Sequence, residues 1–151
     1  MAQRNLPEAL TAYRASFGIA DQLAKADPDN AGLQRDLSVS QNNIGDVQVA
    51  QGNLPAALDA YRAGLIIRET LGKSAPGNTG WQRDLFVVQN KIGDVLVARG
   101  DLPAALDAYR VSLAIAETLA KFNPGNAGWQ RDFFLAQDKI GGVLVARLIL
   151  F

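Results

Sequence analysis

The chain contains no cysteine and no histidine. Without cysteine there is no disulfide, no thiolate metal site and no thiol nucleophile. Without histidine there is no Ser-His-Asp triad. An excess of charge is missing too: Lys plus Arg and Asp plus Glu each number 15, giving a formal net charge of zero. That balance argues against nucleic acid, because phosphate binding needs a basic excess or a basic stripe. The charges are interspersed, with no like-charge run to act as a tail. No stretch approaches the ~18 apolar residues of a membrane span. The longest apolar feature at either end is Leu148–Phe151, and the opening MAQRNLPEALTAYR has no apolar signal-peptide core. No phosphate-cradling G-x-x-x-x-G-K-[ST] occurs. These absences predict a soluble, cytoplasmic protein with no metal, no cofactor, and neither nucleic acid nor membrane as a partner.

What is present is a repeat. Tyr13, Tyr61 and Tyr109 stand 48 residues apart, as do Pro28, Pro76 and Pro124, and Gly45, Gly93 and Gly141. Residues 49–96 and 97–144 share 33 identities in 48 positions, a level that means duplication rather than convergent amphipathicity. Each unit contains two helical patterns. From about Gly80 to Arg99, the apolar residues Trp81, Leu85, Val88, Ile92 and Val95 step by 4, 3, 4 and 3. Asn78 is placed to cap this first-type helix and Gly100 to stop it. From Leu102 to Phe122, the residues Leu102, Leu106, Tyr109, Leu113, Ala116 and Ala120 keep the same rhythm, with Pro103 in the first turn. The short Gly100-Asp101 link forces this second-type helix to run antiparallel to the first. Stacked antiparallel pairs predict an all-α fold, an α-solenoid of six long helices in a single domain. Its divisions are a half unit 1–29, repeats 30–77 and 78–125, and a half unit 126–151.

The segment IGDVLVARGDLPAALDAYRVSL resembles a tetratricopeptide repeat (TPR). Ile92-Gly93 fits the family's Leu-Gly pair and Leu96 the large residue one turn on. Gly100 fits the turn glycine, Leu102 the large residue opening the second helix, Ala105 the small close-approach residue, and Tyr109 the later aromatic. A usual unit has 34 residues; the surplus here is about four helical turns, so the resemblance is to a long-helix variant. The resemblance implies a right-handed superhelix whose first-type helices line a concave peptide-binding face. It therefore implies a protein–protein interaction scaffold holding a peptide or partner protein.

The residues in line on those helices are the candidate peptide contacts. They are Arg35, Val39, Asn42 and Asp46 with neighbouring Asn43 in one unit, and Arg83, Val87, Asn90 and Asp94 with Lys91 in the next. Asp138 and Lys139 continue the line. Asn and Lys can grip peptide backbone and carboxylates, and the valines add apolar contact. The competing reading is that Arg and Asp pair between repeats. Trp81 and Trp129 alternate with Leu33, which reads as packing volume, and mid-helix Gly45, Gly93 and Gly141 read as close helix approach. No catalytic residue is assigned: Asp84 and Asp94 recur with the repeat, whereas catalytic pairs are singular.

The count of helices opens on a second-type helix and closes on a first-type one. Leu6, Leu10, Tyr13 and Phe17 then form a stripe without its usual first-type partner. Ile140, Leu144, Leu148 and Phe151 lack a second-type partner. The alternative function is thus a self-assembly element, a homo-oligomer that pairs these unmatched helices.

Overall fold

The computed structural model describes residues 5–150. It contains six α-helices: α1 (Leu6–Ala26), α2 (Ala31–Ala50), α3 (Leu54–Ser74), α4 (Thr79–Ala98), α5 (Leu102–Phe122) and α6 (Ala127–Leu150). No strand occurs among the described residues. Among the described residues no helix is long and apolar enough to cross a membrane. The chain divides into two compact units, Met1–Ala75 with α1 to α3 and Pro76–Phe151 with α4 to α6. Within each unit the helices consecutive in sequence pack against each other.

Local chemistry sets the helix ends. Asn30, Asn78 and Asn126 each accept the backbone N–H three residues on, from Leu33 at 3.1 Å, Trp81 at 3.0 Å and Trp129 at 3.0 Å. Asn53 and Asp101 do the same for α3 and α5, behind Pro55 and Pro103 in the first turn. Each such cap is worth about 1 kcal/mol relative to alanine. α2 and α4 end where Gly52 (φ 77°) and Gly100 (φ 81°) take the left-handed conformation. Asp101 N–H then donates back to Leu96 O and Gly100 N–H to Val97 O, both at 2.9 Å. These two bonds make a Schellman cap that satisfies the last carbonyls and turns the chain sharply into α5.

The helix pairs meet closely at glycine. A Cβ built on Gly93 would collide with the ring of Tyr109, and one on Gly45 with the ring of Tyr61. Ala57 and Ala105, fully buried, let the second helix approach, and Leu58 and Leu106 fill the space beside them. In the second unit Phe86 of α4, Ala116 of α5 and Ala136 of α6 form a core joined by Val87, Leu113 and Phe133. In the first unit the places of Phe86 and Ala116 are held by Ser38 and Arg68, both buried. Arg68 Nε donates to Ser38 Oγ at 3.1 Å. Its two terminal nitrogens lie 3.0 and 3.3 Å from the amide oxygen of Asn42.

One expectation from helical phase needs correction. Trp81 and Trp129 are half-buried, not core. They open their helices, where the ring reaches the rim; Trp129 lies tilted against Phe122, ring centres 6.3 Å apart. Tyr13, in the stripe without a first-type partner, is half-buried, and no glycine of the described residues receives its ring.

Candidate protein-binding face

In the second unit α4 and α6 lie side by side and are clamped at two levels. Near their N-terminal ends Arg83 grips Asp132 with both carboxylate oxygens engaged, Nε–Oδ2 at 2.9 Å and Nη2–Oδ1 at 3.4 Å. The hydrogen bond to Asp132, opposed in part by burial, raises the Arg83 pKa. A planar guanidinium suits such a two-point grip. Further along, Lys139 of α6 meets Asp94 of α4 at 2.6 Å. The same Asp94 oxygen accepts the Tyr109 hydroxyl at 2.6 Å, and the Lys139 ammonium sits 5.4 Å from the centre of the Tyr109 ring. Burial first, and then the bond to Asp94, push the Tyr109 phenol well above its ordinary value.

This cluster stands at the edge of a cleft of about 230 Å³, lined by Val97, Leu102, Tyr109, Lys139, Val143 and Ala146, with Gly142 at its side. Val97 and its equivalent Val145 remain 39% and 55% exposed. The face thus offers apolar surface beside one fixed carboxylate and one fixed ammonium. It suits a short apolar side chain with polar backbone around it. Among the described residues no group of three acidic side chains converges as a metal site requires.

The sequence-derived candidates divide by what the structure has them do. Asp46 accepts the Tyr61 hydroxyl at 2.6 Å, the counterpart of Asp94. Asn42 is buried on Arg68, and Asn90 accepts the Ser112 hydroxyl at 2.9 Å. These amides tie a first-type helix to a second-type helix. Val87 packs against the three-helix core; Val39, Asn43 and Lys91 are half-buried, and Arg35 and Asp138 are exposed. Lys139, Asp94 and Arg83 are brought together on one face of the second unit, held by ion pairs between α4 and α6. Of the candidate self-association residues, Leu6, Leu10, Tyr13, Phe17 and Ile140 are half-buried, whereas Leu144 and Leu148 are 42% and 80% exposed. Phe151 lies outside the described residues.

Sequence reasoning missed the buried Arg68 network and the exposure of Phe134. Both were marked in the sequence. Arg68 breaks the repeat where alanine stands in α5, and Phe134 sits where Phe86 is buried. No protein-family model matches the chain and no curated protein matches it, so the chemistry of the face alone carries its reading.

Proposed function

We propose that the chain is a TPR-like helical-repeat scaffold, a right-handed α-solenoid that holds a peptide segment of another protein on its first-type helices. The surface that carries this reading lies wholly in the second unit. The supporting observation is the cleft over Tyr109, where Val97 and Val143 flank the Asp94–Lys139 pair. An apolar slot with a few fixed polar groups is the usual form of a small recognition site. The paired charges orient a peptide backbone, and the slot admits one aliphatic side chain. Binding is favoured over catalysis because Asp94, Tyr109 and Lys139 are engaged with one another as hydrogen-bond and ion-pair anchors.

The test is selection of a random peptide library displayed on phage against the full chain, then calorimetry with synthetic peptides. Enriched peptides should share an aliphatic residue, and Val97→Asp should weaken them about tenfold or more by putting a charge into the slot. Lys139→Ala should weaken them less. Absence of enrichment over an unrelated helical protein would reject the proposal, as would peptides indifferent to Val97→Asp.

A further inference from the structure

Two surfaces far apart in the sequence are left uncovered. In the second unit α4 fills the groove between α5 and α6. Phe86 meets Ala116 and Ala136, Asn90 accepts from Ser112, Arg83 holds Asp132, and Gly93 leaves room for Tyr109. Two repeats earlier α1 and α2 stand in the roles of α5 and α6. The groove between them is open, a cleft lined by Ser16, Ile19, Ala20 and Leu23 of α1 and by Asp36 and Ser40 of α2. Ile19 and Leu23 are 62% and 48% exposed.

α6, one repeat after α4, carries what is needed to fill such a groove. Phe134 takes the place of Phe86, Gly141 that of Gly93, Arg131 that of Arg83, and Asp138 that of Asn90. These residues are uncovered. Phe134 is 64% exposed where Phe86 is 4% exposed, and a Cβ on Gly141 would meet nothing within 4 Å.

We propose that α6 of one copy docks into the α1–α2 groove of a second copy, head to tail. Phe134 enters against Ile19 and Ala20. The Tyr13 ring covers Gly141, the Ser16 hydroxyl donates to the Asp138 carboxylate, and Arg131 pairs with Asp36. The repeat equivalence dictates each of these pairs. Two contacts of the second unit have no counterpart at this junction, the Lys139–Asp94 bridge and the hydrogen bond from the Tyr109 hydroxyl to Asp94. At the bridge position both partners are replaced together, by Asn43 and Gly142, so no unpaired charge is left there. Retention of one ion pair and joint loss of the other is the complementarity that selects a second copy as the occupant. A contact between like ends would leave Tyr13 and Asp36 unused. Each copy in a head-to-tail contact keeps one free groove and one free α6, so association closes into a ring or continues. The contact needs neither Val97 nor the cleft over Tyr109, so it stands or falls apart from the peptide site.

The test is sedimentation velocity of the full chain over a concentration series. The average mass should rise with concentration. Arg131→Asp and Asp36→Arg should each weaken association about tenfold, and the two changes in one chain should restore it. Gly141→Leu should block association while helix content and the melting temperature at low concentration are no lower than the parent's. Because the chain has no cysteine, oxidising a mixture of the single variants Asp36→Cys and Arg131→Cys should give the mixed disulfide. A chain that stays monomeric throughout overturns the proposal. So does association indifferent to charge reversal and to Gly141→Leu, or a predominance of disulfides between two Arg131→Cys chains.

Discussion

α4 and α6 are nearly the same helix in sequence and opposite in environment. From their second residue both read Gly-Trp-Gln-Arg-Asp, and both carry phenylalanine, glycine and leucine at matching places. In α4 these residues are core: Phe86 and Leu96 are each 4% exposed and Gly93 lies under a tyrosine. In α6 the counterparts Phe134 and Leu144 are 64% and 42% exposed, and Gly141 faces open space. Val143, by contrast, is as buried as Val95, at 4% against 3%, because α5 covers that side of both helices. A repeat therefore specifies which face a residue belongs to; whether that face is covered depends on the next helix.

The comparison can be broken most directly with the phenylalanines. Phe86→Ala should cost about 3–5 kcal/mol in urea unfolding, the usual penalty for emptying a core ring site. Phe134→Ala should change stability by no more than ~0.5 kcal/mol at a dilution where copies do not associate. Equal penalties would show α6 to be covered within the single chain.

The two units supply the next test. The buried Ser38–Arg68 pair occupies the volume of Phe86 and Ala116. Arg68→Ala alone strips Ser38 and Asn42 of a donor and leaves a void, at a cost of about 2–3 kcal/mol. Adding Ser38→Phe should recover most of that loss, since the pair then matches the second unit. A double variant no more stable than the single one would mean that the two positions do not share one space.

Glycine gives an effect of opposite sign at equivalent sites. Gly93→Ala forces the Tyr109 ring to move and should destabilise by about 1–3 kcal/mol. Gly141→Ala should stabilise the monomer by up to ~1 kcal/mol, the helix-propensity gain alone. Thermal melts of both variants at low concentration decide this.

The smallest effect concerns pH. The folded state holds Tyr109 protonated, with its pKa raised above the ordinary 10.0 by burial and by the Asp94 bond. Its contribution is therefore whole below about pH 10 and is lost as pH rises towards the folded value. Tyr109→Phe should flatten the loss of stability above pH 10 relative to the parent chain. An alkaline profile of Tyr109→Phe identical to the parent's would count against the Asp94 bond.

Much of the fold was legible because its signals are local. Asn78, Asn126, Pro103 and Gly100 mark helix ends through bonds made within a few residues, and α5 runs over Leu102–Phe122 as its pattern requires. The candidate site was legible only in part. Asp94 and Lys139 were found as members of a line, but their common partner Tyr109 and their pairing depend on three helices meeting. Asn42 and Asn90 have polar side chains on the right phase for a ligand, yet Arg68 and Ser112 take their oxygens from inside the chain. Helical phase says which way a side chain leaves its helix, not what it will meet.

The sequence by itself determined the helices, their caps, the tight Gly52 and Gly100 turns and the equivalence of residues 48 apart, because each follows from periodicity or from bonds between near neighbours. The tertiary structure decided which equivalents are core and which are surface. It buried Phe86 and left Phe134 bare, matched Tyr109 to Gly93 and left Tyr13 without a glycine. The reason is that burial is a property of two surfaces together, and one helix encodes only its own.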